Sequence, residues 1–561
     1  MRRLGKRLAA AAAGVALALA AGEVALRVAG FSSPHLYRPH PVRGWELAPG
    51  ASGLWTEEGR AWVEVNPAGF RDVPRQRAKP AGVFRIAVLG DSQTEALQVE
   101  REERFTAVLE DELAGCRAAP PGWSGADRPR FEVLNFGVAG YGTAQELLTL
   151  RDEALAYDPD LVLLAVYTGN DVRNNLEALE LDPARPYFVL PVDETGPGSA
   201  PGPAPSVDVG APPSVVTDAP PSVVADARNL ELDDSFRDSR AYRLRTAPGA
   251  VLAYALLRRS RLAQLAKRGV SAAKEREAAA AAEERAEKAD EEALAELGLD
   301  NAVYSPPATP EWREAWRVTE ALVLRMAEEA RAAGTGFALV TLSNGIQVHP
   351  EREVRRDFAA RLGLERFGVR DLLYPDRRLA RLAERHGIPH FLLAGPLRRL
   401  AERRSLYLHG FERPAADGGA APDVARWNQG HWNSEGHRAA GELLVTWLCR
   451  RWRREGAAQG AEASSATIRS PISAASRSLP ARLRWQQVSW YIGASTPAKI
   501  PVRSWKATPL RTSSRPAARR WGYPSTTGSR YGWSSTKARA RSSDPIGFEP
   551  GTYWLGCRKW T

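Results

Sequence analysis

The sequence predicts an α/β fold in which a parallel β-sheet is covered by helices on both faces. Short β-prone runs alternate with amphipathic helical patterns over residues 81–456. The runs are almost continuously apolar, as expected for parallel strands that are buried on both sides. Polar and glycine-rich segments follow the first three runs, and the carboxyl ends of such strands are where α/β proteins carry their binding and catalytic residues.

The elements of this fold follow one another along the chain. Ahead of them, residues 31–80 form an extended preface, in which the alternating stretch Trp62–Asn66 meets a turn and predicts a hairpin or an edge strand. Predicted helices occupy the region around Phe105–Leu113 and the region from Thr143 to about Tyr157. The predicted strands are Phe84–Gly90, Phe131–Phe136, Leu161–Tyr167, Phe337–Leu342 and Phe391–Leu393.

A large insertion, about residues 176–310, separates the third and fourth strands and is too long for a simple crossover. It contains a tandem Pro-rich octapeptide at 211–226, which predicts an extended surface segment. Residues 272–297 are rich in Ala, Glu and Lys and predict a solvated helix. Two roles for the insertion are open: a lid over the active face, or an inert excursion on the surface.

Both ends of the chain differ from this domain. Residues 1–30 begin with a basic cluster followed by an apolar run, which predicts either a cleaved signal peptide or a retained membrane anchor, and in both cases export. Residues 457–561 contain 17 Lys and Arg against 3 Asp and Glu, so this tail accounts for the net charge of +11. The tail has low complexity and is expected to be disordered. We expect no nucleic-acid partner, because no binding module accompanies the charge.

The three cysteines leave one question open. Cys116 and Cys449 end the first and last predicted helices of the domain, so they either form a disulfide in an exported protein or are two unrelated thiols. No CxxC or His-rich spacing indicates a metal site, and no cofactor is expected.

Four segments carry residues suited to ester chemistry. Ser92 follows the first strand in Gly90-Asp91-Ser92 and supplies a nucleophile. Gly140, in the glycine-rich turn after the second strand, can bring its backbone N–H close to a ligand. Asn170 follows the third strand and can donate from its side-chain amide. His431 precedes the last helix and is the candidate base.

In these four segments the chain resembles the SGNH (GDSL-type) hydrolases, over about residues 60–455. The resemblance implies a three-layer α/β/α sandwich with a flavodoxin-like sheet. It also implies Ser92 and His431 as catalytic residues, with the oxyanion held by Ser92, Gly140 and Asn170. The exported N-terminus and the segment Asn66–Asp72 are similar to those of membrane-tethered bacterial members.

One feature departs from that family's pattern. The family usually places an aspartate two or three residues before the histidine, where this chain has Gln429 and Asn428. An amide can hold the tautomer of the imidazole but cannot offset the charge of an imidazolium. Asn428 or the upstream Asp423 is therefore the expected orienting residue. Otherwise Ser92 and His431 act as a dyad, or the enzyme is weak or inactive.

Structural roles are expected for most of the remaining side chains near these segments. Asp91 is expected to hydrogen-bond the local turn. Asp171 is expected to be a helix cap or a structural carboxylate. His409 and His437 are expected to be structural, and Trp432 either packs or offers a stacking face to a sugar.

The sequence thus predicts a serine ester hydrolase that acts on acyl or acetyl esters of envelope or extracellular glycans or lipids. It is expected to be anchored in the cell membrane facing the periplasm or the outside, or to be secreted. Two alternatives remain open. One is an O-acetyltransferase for polysaccharides on the same fold. The other is a catalytically degenerate domain that acts as a binding or scaffold protein.

Overall fold

The computed structural model describes residues 2–125, 127–180, 182–191, 229–270, 301–411 and 428–468. Several predicted features lie outside the described residues. These are the octapeptide repeat at 211–226, the helix at 272–297, Asp423, Cys557 and the tail from residue 469 onward.

The N-terminal region forms one long helix followed by two hairpins. Helix α1 spans Arg2–Val28, and its segment Arg3–Val28 is long and apolar enough to cross a membrane. The preface then forms two antiparallel hairpins, β1 with β2 and β3 with β4, which share a small apolar core of their own. The strands are β1 (Tyr37–His40), β2 (Gly44–Leu47), β3 (Ser52–Trp55) and β4 (Ala61–Glu64).

The central sheet has five parallel strands in the order β11-β10-β7-β5-β6. The strands are β5 (Val83–Gly90), β6 (Arg130–Asn135), β7 (Leu161–Tyr167), β10 (Gly336–Leu342) and β11 (His390–Leu392). Counted along the chain, this is the 2-1-3-4-5 order of flavodoxin-like sheets, which confirms the predicted fold class. Each strand begins and ends within one residue of its predicted bounds.

Helices cover both faces of this sheet and make it the middle of three layers. Strand side chains alternate between two cores: in β5, Phe84, Ile86 and Val88 face one and Ala87 and Leu89 the other. One outer layer contains α4 (Thr143–Asp152), α9 (Pro310–Ala332) and α11 (Tyr374–Arg385). The other contains α3 (Phe105–Leu113), α12 (Ala394–Arg404) and α13 (Ser434–Ile468).

Shorter elements complete the described structure. Helix α2 (Ser92–Glu95) follows β5, and α10 (Arg352–Arg361) lies between β10 and α11. The described parts of the insertion contain α5 (Glu177–Glu180), β8 (Tyr187–Val189), β9 (Glu231–Asp233), α6 (Arg240–Thr246), α7 (Pro248–Arg259) and α8, which is helical over 261–270.

Two helix ends differ from the sequence prediction. Helix α4 stops at Asp152, and a separate turn of 3₁₀-helix at Ala154–Tyr157 ends in the left-handed Asp158. Helix α13 runs on to Ile468, so the predicted domain end at residue 456 falls inside it. The pattern of large apolar residues stops near Trp452, whereas the Ala-rich continuation has good intrinsic helix propensity.

A disulfide joins Cys116 to Cys449, with their Cα atoms 5.8 Å apart. Cys116 follows α3 and Cys449 lies in α13, two neighbouring helices of the same outer layer. The alternative of two unrelated thiols is therefore wrong. The bond closes a loop of 333 residues and ties the two ends of the domain together.

Candidate active site

Ser92 lies in a tight turn at the carboxyl end of β5, with only 5 % of its surface exposed. Asp91 caps the turn, because its carboxylate accepts the Gln93 N–H at 2.9 Å. The prediction that Asp91 bonds the local backbone is confirmed. A Cβ on Gly90 would lie 2.2 Å from Thr94 Oγ1, so only glycine allows the chain to close this way. The Ser92 hydroxyl lies 3.4 Å from the second Asp91 oxygen.

The loop that carries His431 is fastened directly to this turn. The N–H of Trp432 donates to Gln93 Oε1 at 3.0 Å, which joins the residue after His431 to the residue after Ser92. On the other side of the loop, Asn433 accepts the Gly436 N–H and fixes the start of α13. The structure therefore brings together two segments that lie 339 residues apart.

The carboxylate that faces His431 is Glu58, in the connection between β3 and β4. Glu58 Oε2 lies 2.5 Å from His431 Nδ1, and Glu58 Oε1 accepts the His431 backbone N–H at 2.8 Å. One carboxylate thus holds both the ring and the main chain of His431. Gly430 makes room for it, since a Cβ there would lie 2.3 Å from Glu58 Oε1.

Sequence reasoning missed Glu58. The family pattern places the acid within a few residues of the histidine, whereas Glu58 is 373 positions away in the preface. The signal in the sequence was slight. It consisted of a pair of acids followed by glycine, Glu57-Glu58-Gly59, ahead of the predicted hairpin strand.

Glu58 and His431 favour each other's charged form. Burial works against both charges, but the attraction between the pair and their hydrogen bonds outweigh it. The pKa of His431 is therefore raised above its ordinary value, and the pKa of Glu58 is lowered. An imidazolium formed at this position would be stabilised by the adjacent carboxylate.

Asn428, one of the two residues expected to orient His431, does not occupy that place. The Asn428 amide oxygen accepts the N–H groups of Leu408 and His409, at 2.6 and 2.8 Å. Its amide nitrogen donates to the Gly345 carbonyl at 2.7 Å. Asn428 therefore ties three backbone segments together rather than holding the imidazole, and this corrects the expectation. Asp423 lies outside the described residues.

Hydrogen bonds to the carbonyls of Ala139 and Gly140 fix the direction of the Gly140 N–H. The indole N–H of Trp45 donates to the Ala139 carbonyl at 3.0 Å, and Arg185 donates to the Gly140 carbonyl at 2.5 Å. Because the Ala139–Gly140 peptide is trans, its N–H points opposite to the carbonyl that Trp45 holds. Gly140 has a φ of +77°. Among the described residues, no acceptor takes the Gly140 N–H.

Asn170 also comes to the Ser92 turn. Its side chain is buried beside the Asp91 carboxylate, next to the serine. The ends of β5, β6 and β7 thus place Ser92, Gly140 and Asn170 along one edge of the sheet. The three segments lie at the same edge because β5, β6 and β7 are parallel neighbours in the sheet. What the three groups do there is a proposal.

Three further carboxyl groups are buried behind the turn. Burial raises the pKa of Glu95 to about 8, although Tyr37 and the Ala139 N–H both donate to it. Burial also raises the pKa of Glu146 and of Asp171 well above their ordinary values. Asp171 accepts the Tyr167 N–H at 2.7 Å, so it is the structural carboxylate expected from the sequence.

The other ring side chains near the site are packed into the core. His437 is buried and stacks on Phe105, and burial lowers its pKa well below the usual range. His409 is buried, and its ring nitrogens lie near the Gly430 carbonyl and the Ser343 hydroxyl. Trp432 is fully buried and donates to Ser343 Oγ, so it packs and offers no face to a sugar.

In the part of the chain that the structure describes, no group of three or more His, Cys, Asp or Glu side chains is arranged so that it could hold a metal ion.

Comparisons with solved structures find two esterases and a lipase at low similarity. An acetyl xylan esterase, AlAXEase, is 9% identical with a TM-score of 0.27, and the match covers 65% of this chain and 98% of that one. A catalytic mutant of an acetylxylan esterase from Geobacillus stearothermophilus is 10% identical at 0.26, covering 65% and 94%. A GDSL-like lipase from Bacteroides thetaiotaomicron is 11% identical at 0.23, covering 65% and 88%. No protein-family profile and no curated protein sequence matches the chain.

Proposed function

We propose that this protein is a serine ester hydrolase in which Ser92 and His431 are the catalytic residues and Glu58 positions and polarises His431. The observation that carries the proposal is the two-point contact of Glu58 with His431, in a loop that is hydrogen-bonded to the Ser92 turn. A nucleophile, a base and a third group that orients the base are the parts that acyl transfer by serine requires.

The proposed reaction has two stages. His431 Nε2 takes the Ser92 proton as Oγ attacks the ester carbonyl, and the same proton then goes to the leaving alkoxide, which departs as the alcohol. His431 next takes a proton from water. The resulting hydroxide attacks the acyl-serine, and the proton returns to Ser92 as the free acid leaves. Glu58 keeps Nδ1 protonated and stabilises the imidazolium in both stages.

The negative charge on the substrate oxygen needs donors that are already in place. The backbone N–H groups of Ser92 and Gly140, together with the Asn170 amide, are the proposed set. Trp45 supports this assignment, because its hydrogen bond to Ala139 O turns the Gly140 N–H to the opposite side of the peptide. Trp45 is thus a proposed positioning residue that belongs to the preface.

The pairing of Glu58 with His431 weighs against a degenerate domain. The missing aspartate near His431 was the main reason to consider one, and a carboxylate from another segment now occupies the corresponding position. Helix α1 supports an envelope location. The proposed substrates are accordingly acyl or acetyl esters of envelope or extracellular glycans or lipids.

The test of the proposal is covalent labelling of the full chain in detergent with a fluorescent fluorophosphonate. We expect the wild type and a control variant at an exposed serine, Ser405→Ala, to label equally. Ser92→Ala should lose the label, and His431→Ala should slow it by orders of magnitude. Equal labelling of Ser92→Ala and the wild type would refute the assignment.

A second measurement separates hydrolysis from acyl transfer on the same site. The rate of alcohol release from an activated acetyl ester is compared with and without a soluble glycan acceptor. A hydrolase is unaffected by the acceptor and releases free acetate. A large rise in rate, with the acetyl group found on the glycan, would instead identify a transferase.

A further inference from the structure

The described part of the insertion exposes an unusual amount of apolar surface. Outside α1, most of the strongly exposed large apolar side chains of the described residues lie in α6, α7 and α8. Elsewhere in the described chain only Trp62, Val189 and Leu232 are comparably exposed. The members of this set, which we call the apolar face, are Leu244, Val251, Leu252, Leu256, Leu265 and Val270, at 44–63% exposure.

The same three helices are strongly basic. Residues 240–270 contain eight Lys and Arg side chains and no Asp or Glu, which contrasts with the near-neutral domain around them. Apolar side chains on one face of short helices, flanked by Arg and Lys, are typical of segments that lie in a membrane interface. Basic residues there add electrostatic attraction to anionic lipid headgroups.

The inner side of these helices is fixed to the protein, so the apolar face points outward. Tyr254 of α7 stacks on the buried ring of His35 at 4.9 Å. Gln264 of α8 is buried and accepts the Ser33 N–H at 3.1 Å. Both contacts are to the segment that directly follows α1.

The end of α1 is docked at the junction of α7 and α8. The Glu23 carboxylate accepts the N–H groups of Arg261 and Leu262 and the Ser260 hydroxyl, which caps the start of α8. Arg27 pairs with Glu23 and donates to the Arg259 carbonyl at the end of α7. The direction of α1 and the position of the apolar face are therefore coupled.

Helix length then sets the level of this junction in a bilayer. With 27 residues α1 is about 40 Å long at ~1.5 Å per residue, whereas a hydrocarbon core is about 30 Å thick. If Arg7 lies at the edge of the hydrocarbon core on one side, Arg27 lies about 30 Å further along the helix, at the opposite edge, and Glu23 lies about one helical turn inside that edge. The apolar face is joined to them there.

We propose that α6, α7 and α8 rest on the surface of the bilayer that α1 spans, with the apolar face in the outer headgroup and upper acyl region and the arginines toward anionic lipid phosphates. The inference rests on the membrane anchor of the proposed function but not on the ester chemistry. It assigns residues 240–270 of the insertion a role in membrane contact, in place of a lid or an inert excursion.

The test uses the full chain, with α1 present, in nanodiscs of phosphatidylcholine and phosphatidylglycerol. Cys557→Ser leaves only the disulfide-bonded cysteines, and Leu252→Cys then carries an environment-sensitive fluorophore. Leu252 is 63% exposed, so the label does not disturb packing. The matched control is Leu232→Cys on β9, another exposed leucine outside the apolar face. Circular dichroism checks that both variants are folded.

We expect the probe at position 252 to shift its emission to the blue and to be quenched several-fold more strongly than the control by lipids with a nitroxide near the headgroup. Quenching at 252 no stronger than at 232 would overturn the proposal. A probe that is shielded from water but not quenched by these lipids would also overturn it, because protein would then cover the face. Neither readout depends on catalysis, so a failure here is separate from a failure of the esterase assignment.

Discussion

Replacing Glu58 by glutamine removes one negative charge from the site and keeps the size of the side chain, while one of its two acceptor oxygens becomes an NH2 donor. In the wild type that charge lies against His431, with 2.5 Å between Oε2 and Nδ1. The charge matters most when the imidazole is protonated, which is the state that the proposed mechanism passes through twice. The variant should therefore lose rate in the chemical step.

The expected loss is about a thousandfold in kcat. Two unit charges with centres ~4 Å apart interact by about 4 kcal/mol at an effective dielectric constant of ~20. Each ~1.4 kcal/mol is a factor of ten in rate, so this attraction corresponds to about three powers of ten. Glu58 is 30% exposed, and solvent screening places the loss at or below this figure rather than above it.

The pH profile separates a positioning role from a merely structural one. The proposed mechanism requires neutral His431, so the rate should rise as pH increases through the pKa of His431, which Glu58 holds above the ordinary value. In Glu58→Gln burial still lowers the pKa of His431, but the attraction to Glu58 that raised this pKa is lost. The part of the pH profile in which the rate rises with pH, the acidic limb, should therefore move to lower pH. The assay is kcat and KM for a soluble nitrophenyl ester between pH 4 and 9.

The control is Glu64→Gln, a change of the same kind at an exposed glutamate of the neighbouring strand, which should leave both kcat and the pH profile unchanged. The reasoning would be refuted if Glu58→Gln retained the wild-type kcat. It would also be refuted if kcat fell while the acidic limb stayed where it was, because Glu58 would then act on folding or substrate binding alone.

Three further changes probe the surroundings of this pair. Gly430→Ala should copy the kcat loss and acidic-limb shift of Glu58→Gln, because its Cβ would lie 2.3 Å from Glu58 Oε1; an unshifted limb would contradict this. Trp45→Phe should lower kcat about tenfold with little change in KM and in thermal midpoint, since the Gly140 N–H loses its fixed direction; a change confined to KM would contradict the positioning role. Glu95→Gln should flatten the dependence of stability on pH. Since the folded-state pKa is about 8, protonated Glu95 stabilises the fold fully below pH ~4.5, and this stabilisation, at most about 5 kcal/mol, is lost as pH rises to 8. Urea unfolding at pH 5 and pH 8 measures the free energy of unfolding at each pH. The same difference between the two pH values in wild type and variant would contradict the prediction.

The sequence was informative where local patterns determine structure. Apart from Arg85, the β5 and β7 runs are apolar, as parallel strands buried on both faces require. The order of strands and helices could therefore be predicted directly. The positions of Ser92, Gly140 and Asn170 were predictable for the same reason, because each follows a strand and such ends share one edge of the sheet.

Glu58 was not predictable in this way, because no local rule connects a turn in the preface with a loop 373 residues later. The contact arises because the connection between β3 and β4 lies against the loop that carries His431. Trp45 was overlooked for the same reason: its role depends on a hydrogen bond to Ala139, 94 positions away. The sequence predicted the preface as an extended segment with a hairpin or an edge strand, and in the structure it also supplies the carboxylate that contacts His431.

The most direct measurement of the central claim is the trapping of the acyl-enzyme. The full chain is mixed with an excess of a nitrophenyl acetate and quenched in acid within its first turnover, and its peptides are mapped by mass spectrometry. The account predicts one acetyl group on the peptide that contains Ser92, in an amount that falls sharply in Glu58→Gln and is unaffected in Glu64→Gln. Acetylation spread over lysines and other serines, with none on Ser92, would contradict it.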